Sequence, residues 1–467
     1  MHVEQDRFIQ MTQSPLKGLI LRMAVPSMAS MLVTAIYNMV DTYFVGFIGT
    51  SATGAVGVVF SLMAIIMATG LFFGQGSGNA ISRALGEQRQ EEASHLLSTG
   101  FFCCFGVGVV IAVVGLIFME DLARLLGATE TILPHACGYM QYILIGTPFM
   151  AASLTLNNQL RFQGSPKNGM FGIMAGALIN IVLDPIFIFA LDMGTAGAGL
   201  ATMLSQFCSF CILLYGCTRG GNLPIRFRDF ALTRAAAWEI LRTGFPSMAR
   251  QLLSATAAIA LNWAARDYGD AAIAAMAIVS RLMSFANSAV LGFGQGYQPV
   301  CGFNYGAGRF DRVLEGYGFC IKTAVLSLVL LAALGLLFAQ PLVGLFRDDP
   351  AVTAIGIPAL RFQCITLPLM GYVIIANMLF QNIGAAGFAS LLSIARQGLF
   401  FLPILLVLAS ALGLLGIQLA QPVADAFTFC LTLPMSIWEC GRLRKKKPGA
   451  GRGLTHSLGC ADSGTKA

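Results

Sequence analysis

Charge is scarce in this sequence. Only 11% of its 467 residues are Asp, Glu, Lys or Arg, while 56% are hydrophobic; soluble domains carry about 25% charged residues. A soluble chain this apolar would have to hide more surface than its core can hold. That class is excluded, and a polytopic helical membrane protein is expected. Histidine is also scarce: His2, His95, His135 and His456 lie far apart and form no cluster. The twelve cysteines are scattered through apolar runs. Cys208 and Cys211 form a CxxC, but inside FCSFCILLY, with no further donors toward the four that zinc requires. No nucleophile–base pair or phosphate loop is visible, and the GQG segments lack the Gly-Lys-Ser/Thr ending. Neither an enzyme nor a resident cofactor or metal is expected. The polar start, MHVEQDRFIQ, gives no sign of a cleavable signal peptide.

What the chain does have is hydrophobic length. Apolar runs of roughly twenty residues, each enough to span a bilayer, fall near 16–40, 52–76, 93–118, 134–161, 167–190 and 196–218. A second six fall near 235–260, 271–297, 313–338, 354–381, 387–409 and 414–438. With the N-terminus inside, the inner segments hold Arg7, Lys17, Arg83, Arg89, Arg161, Lys167, the arginines of 219–234, Arg309 and Arg312. The outer loops hold only Arg124, Arg266 and Arg347. This is the positive-inside asymmetry, with the loop near 382–387 as its one exception. Both termini are expected in the cytoplasm. The basic stretch RLRKKKPGAGR (442–452), which supplies much of the net charge of +7, is expected near anionic lipid. Nothing else suits nucleic acid, so no nucleic-acid partner is expected.

Shifted by 220 residues, the sequence matches itself. ILRMAVPSMA (20–29) lies over ILRTGFPSMA (240–249), and FGQG (73–76) over FGQG (293–296). Gly86, Arg89, Pro148, Asn157 and Gly164 fall on Gly306, Arg309, Pro368, Asn377 and Gly384. Each repeat holds an even number of spans, so both halves point the same way. An all-α polytopic membrane protein follows: 12 transmembrane helices in two six-helix lobes, related by a pseudo-two-fold axis along the membrane normal. The expected divisions are 1–218 for the first lobe, 219–234 for a cytoplasmic linker, 235–440 for the second lobe and 441–467 for a basic cytoplasmic tail. Paired bundles around a central gap are a transporter design.

The departures from the repeat carry information. Tyr37, Asp41, Asn180 and Asp184 fall on Ala257, Leu261, Phe400 and Ile404, so the first half holds a polar set that the second lacks. Tyr37 and Asp41 share a face of the first span, as do Asn180 and Asp184 of the fifth. With Asn157 and Thr202 they would form an oxygen-rich pocket holding two carboxylates. Such a pocket can take a proton, since burial and a neighbouring carboxylate both raise a carboxyl pKa. It can equally take Na⁺, with Asp41, Asn180, Asp184 and Thr202 as ligands. The alternative is that each polar group makes a helix–helix hydrogen bond or satisfies a freed backbone carbonyl. Pro26 removes a donor to the carbonyl of Arg22, and Pro185 frees that of Ile181; each marks a moving bend or a static kink.

VPSMASML, YNMVDTYFVG, GQGSGNAISRALGEQ after the second span, NNQLRFQGSPK after the fourth, NIVLDP and GAGLAT together resemble the multidrug and toxic compound extrusion (MATE) transporters over nearly the whole chain. The resemblance implies a multi-pass protein of the bacterial cytoplasmic membrane that exports lipophilic organic cations in exchange for H⁺ or Na⁺. It implies a first-lobe cation site at Asp41, Asn157, Asn180, Asp184 and Thr202, with Tyr37 close by, and a helix bend at Pro26. Some members carry carboxylates in the seventh and tenth spans; this chain has none in PSMARQLLSATAAIALN of its seventh span and none in its tenth, so coupling is expected in the first lobe. A monomer is expected. Met31, Met63, Met150, Met283 and Met370 are candidates for lining the substrate cleft, because Met adapts to varied ligands. Arg250, Arg281, Arg361 and Arg396 lie inside second-half spans, with Asp425 available to pair. If they face the cleft instead, an anionic substrate fits, as for a lipid-linked oligosaccharide flippase of the same architecture.

Overall fold

A computed structural model describes residues 2–346 and 349–446; the side chains of 2–4, 38, 39, 41–43, 46, 50 and 53 lie outside the described residues. The first half comprises α1 (His2–Gln13), α2 (Leu16–Gly46), α3 (Thr50–Gly86), α4 (Gln90–Ile117), α5 (Met119–Leu125), α6 (Leu133–Phe162), α7 (Pro166–Pro185) and α8 (Gly194–Cys217). The second comprises α9 (Arg234–Ala265), α10 (Asp270–Gly306), α11 (Phe310–Leu337), α12 (Ala339–Phe346), α13 (Pro350–Asn382), α14 (Ala386–Ile394), α15 (Leu402–Leu412) and α16 (Leu414–Arg444). No strand occurs among the described residues. Helix is the form this composition permits in lipid, since it satisfies every backbone N–H and C=O within the segment. Ten of these helical stretches are long and apolar enough to cross a membrane. The two others at expected spans, α6 and α9, have 30 and 32 residues.

Two π-helical segments interrupt the ladder, each beside a proline that lacks an N–H. Ile186–Ala190 follows Pro185, and Ala395–Phe401 precedes Pro403. Leu399, whose carbonyl Pro403 leaves without a donor, lies inside the second of these wider turns.

The polar start forms α1, and the expected helix ends need correcting. The GQG segments lie inside α3 and α10, which run ten and nine residues past their expected ends at 76 and 297. All of NNQLRF (157–162) likewise belongs to α6. The reason is packing between the lobes, where the glycines of α3 and α10 admit a neighbouring backbone. A Cβ on Gly76 would meet the carbonyl of Ile240, and one on Gly296 would strike Ala24. Gly86 sits against the carbonyl of Phe303, and Gly306 against that of Arg83. These contacts are reciprocal under the 220-residue shift, as an isologous interface requires. Ser82 and Gly302, which the shift exchanges, touch each other, so the pseudo-two-fold axis passes between them.

Every inter-lobe hydrogen bond among the described residues lies toward one end, on residues 11–14, 75–83 and 161 of the first half and 239–243, 295–312 and 381–382 of the second. The lobes are therefore locked together at the end that carries Arg83, Arg89, Arg309 and Arg312. Helix α1 caps this end. Thr12 and Ser14 accept through their carbonyls from Arg309 and Arg312 at 2.8 and 2.7 Å, while Arg7 Nη1 donates to Asn222 Oδ1 at 2.9 Å.

Candidate functional site: a buried acid cluster in the first lobe

Asn180 and Asp184 lie one turn apart on α7, and their shared face meets α8. Asn180 Nδ2 donates to Asp184 Oδ1 at 3.4 Å and approaches Thr202 Oγ1 on α8 at 3.5 Å. Asp184 and Thr202 are fully buried, and Asn180 is 1% exposed. Asn180 Oδ1 is buried with no hydrogen-bond partner among the described residues. These bonds are long for their type, and the oxygens are carboxylate, amide and hydroxyl, a donor set suited to a small hard cation. Helix packing explains the closeness: Gly176 on α7 brings α8 in, since a Cβ there would meet Ser209 and the carbonyl of Ser205.

Tyr37 is buried on α2, which packs along α7. Asp41 belongs to α2, but its side chain lies outside the described residues. Asn157 is not brought into the cluster. Its Oδ1 lies against Gly169, eleven positions before Asn180 on α7, about 16 Å along a helix that rises about 1.5 Å per residue. Pro26 is buried within an unbroken α2. Its own carbonyl accepts from Ser30 Oγ at 3.0 Å, and Ser27 Oγ donates to Met23 O at 3.3 Å, so hydroxyls supplement the ladder around the missing N–H.

The proposed cleft residues separate into groups. Met63 and Met150 belong to the first-lobe core, Met63 beneath the Tyr139 hydroxyl. Met31 is half-buried on α2. Met283, Met370 and Arg396 line a cavity of about 400 Å³ in the second lobe. Arg281 and Arg361 are exposed and lie outside that lining. Arg396 Nε donates to Asp425 Oδ1 at 3.0 Å.

A MatE family model matches residues 26–186 and again 246–407, once in each lobe. The chain belongs to the MatE family. It is 27% identical to multidrug export protein MepA of Staphylococcus haemolyticus over 441 residues, which is 93% of this chain and 96% of that protein. It is 26% identical over 428 residues to MepA of Staphylococcus aureus strain NCTC 8325, covering 91% and 94%. The outward-facing structure of a multidrug resistance MATE family transporter superposes with a TM-score of 0.88 at 26% identity, covering 94% of this chain and 98% of that one. A MATE structure in a bent conformation gives a TM-score of 0.88 at 27% identity, again covering 94% and 98%.

This MatE chain also holds a polar lock that sequence reading missed. By sequence Arg161 is one of the inner-turn positive charges, yet it is 3% exposed and sits between the lobes. Its Nη1 donates to Gln295 Oε1 at 2.7 Å, and its Nη2 to Asn158 Oδ1 at 2.6 Å and Gln298 Oε1 at 3.2 Å. Gln75 donates to Asn158 at 3.1 Å and accepts from Gln298 at 3.3 Å. Arg83 pairs with Glu239 across the interface and donates to the carbonyl of Asn382 at 2.9 Å. The signal was available in the repeat: the two FGQG motifs supply Gln75 and Gln295, and the pseudo-two-fold axis brings them to one network.

Proposed function

We propose that this MatE protein exports lipophilic organic cations in exchange for H⁺ or Na⁺, with Asp184, Asn180 and Thr202, together with Asp41 and Tyr37, as the coupling site. The observation that carries the reading is the fully buried Asp184 in an oxygen-lined cluster. An ionised carboxylate there has lost its water, at a cost of several kcal/mol. Gaining a proton or a Na⁺ removes that cost, so the occupancy of the site is tied to which way the lobes are open. Asn180 Oδ1 and Thr202 Oγ1 supply further ligand oxygens for Na⁺; for H⁺ the carboxylate suffices.

The locked end is the cytoplasmic one, because it carries the Lys/Arg-rich turns. The form described is then outward-facing. In this state the coupling ion enters from outside, the electrostatic attraction for a cationic drug weakens and the drug leaves. The ion's inward exit follows once the Arg161 and Arg83 contacts part. Multidrug export by the MepA relatives supports the substrate class. The test is efflux of a fluorescent organic cation from proteoliposomes, with H⁺ and Na⁺ gradients imposed separately. Asp184→Asn removes the charge that the ion neutralises, and gradient-driven efflux is expected to vanish in a protein that still purifies folded. Full-rate efflux by that variant refutes the coupling role.

A further inference from the structure

The second lobe holds a chamber that cation coupling leaves without a role. It encloses about 400 Å³ between α9, α10, α13, α16 and the π-helical segment Ala395–Phe401, a size suited to a drug-sized ligand. Three charged side chains line it: Arg250, Arg396 and Asp425. Asp425 is committed, since Oδ1 accepts from Arg396 Nε at 3.0 Å and from Gln421 Nε2 at 2.7 Å. Arg250 has no hydrogen bond or ion pair among the described residues, and no second acid lines the wall. The chamber therefore carries one positive charge in excess, that of Arg250.

Two further observations point to a ligand. Gln397 and Asn287 line the same chamber, and each has a buried amide oxygen without a partner among the described residues. The O and N of such amides can exchange by a flip, so each can present an acceptor or a donor. In addition, the π segment places Arg396 and Gln397 consecutively on the chamber wall, and widened turns of this kind recur at functional sites. The charge is not inherited from the duplicated scaffold: Arg250 and Arg396 fall on Ser30 and Gly176 of the first half.

We infer that this chamber binds a carboxylate, so that the protein takes amphiphiles bearing an acidic group on an apolar aromatic body, zwitterions included. The planar fork of Arg250 matches a carboxylate in two parallel hydrogen bonds. Asn287 and Gln397 contribute amide N–H groups after a flip, and Met283, Met370 and Phe401 cover the apolar body. A cation without an acid is repelled by the excess charge. The inference depends on the export reading only for how a ligand reaches the chamber, so binding is measured apart from transport.

The probes are rhodamine B, which carries a carboxylate beside its cationic ring system, and its ethyl ester, which has only the cation. Fluorescence anisotropy on the purified full chain in detergent reads both affinities. Wild type is expected to favour the acid by about tenfold or more. Arg250→Gln brings the ratio to about one, and Arg250→Lys, which keeps the charge but not the fork, falls between. Asp425→Asn releases Arg396 and raises the preference for the acid; this second variant carries the test if Arg250→Gln does not purify folded. Equal binding of acid and ester by wild type, an unchanged ratio in Arg250→Gln, or a lowered preference in Asp425→Asn overturns the inference. Failure of gradient-driven ester efflux, with the acid preference intact, refutes the export reading and leaves the chamber assignment standing.

Discussion

Gly296 is the position at which one methyl group tests whether the lobes move against each other. A Cβ there would land 2.4 Å from the backbone nitrogen of Ala24, 2.5 Å from its Cα and 2.6 Å from its Cβ. Two of these atoms are backbone, so the clash cannot be relieved by rotating a side chain. Overpacking of this kind costs about 1–3 kcal/mol. Gly296→Ala also removes the intrinsic cost of a helical glycine, about 1 kcal/mol, but α10 remains helical whichever way the protein faces, so that gain cancels between the two states. The net effect is a shift of about five- to 150-fold toward the form in which α2 and α10 are apart. Spin labels at Gln90→Cys and Glu315→Cys, both exposed at the locked end, report it by pulsed electron–electron distance measurement in a cysteine-free background. A longer distance is expected to grow in with Gly296→Ala. A folded variant whose distance distribution matches the parent refutes the reasoning, because the contact would then persist in every populated state.

Other outcomes follow from the same contacts. Glu239→Gln removes the partner of Arg83, whose guanidinium stays tethered to the carbonyl of Asn382. The pair is partly exposed, so the expected cost to the locked state is about 1 kcal/mol, weaker at high salt; the same label pair measures it. Thr233 is the N-cap of α9, its side chain accepting from Ala236 N at 3.2 Å. Thr233→Ala should cost about 1 kcal/mol of stability, seen as a lower melting temperature with the drug-to-ion coupling ratio unchanged. Asp184→Asn is expected to abolish efflux under either ion gradient while leaving the label distance distribution that of the parent, which separates loss of coupling from loss of movement.

Composition and periodicity carried a large part of this protein. Apolar length dictates helices in lipid, because no other open structure satisfies the backbone there. The 220-residue repeat dictates two lobes of one orientation. The four-residue step from Asn180 to Asp184 dictates that both side chains share a face, and α8 then needs only small residues, such as Gly176 against Ser209, to close on them. These are local or repeat-level facts, and a sequence encodes them directly.

Other features belong to the tertiary structure alone. Helical periodicity is silent on where a helix passes from lipid into contact with the other lobe, so the expected spans end about ten residues short of α3 and α10. Arg161 reads as a loop cation until the second lobe arrives to bury it among amides. Asn157 and Asn180 look like members of one set until the crossing of α6 and α7 puts Asn157 against Gly169 instead. Arg250 and Arg396 are 146 positions apart, and only the fold of the second lobe sets both on one chamber whose single acid, Asp425, pairs with Arg396. In each case the deciding quantity is a distance between elements, set by how faces pack at an angle, and no run of neighbouring residues encodes it.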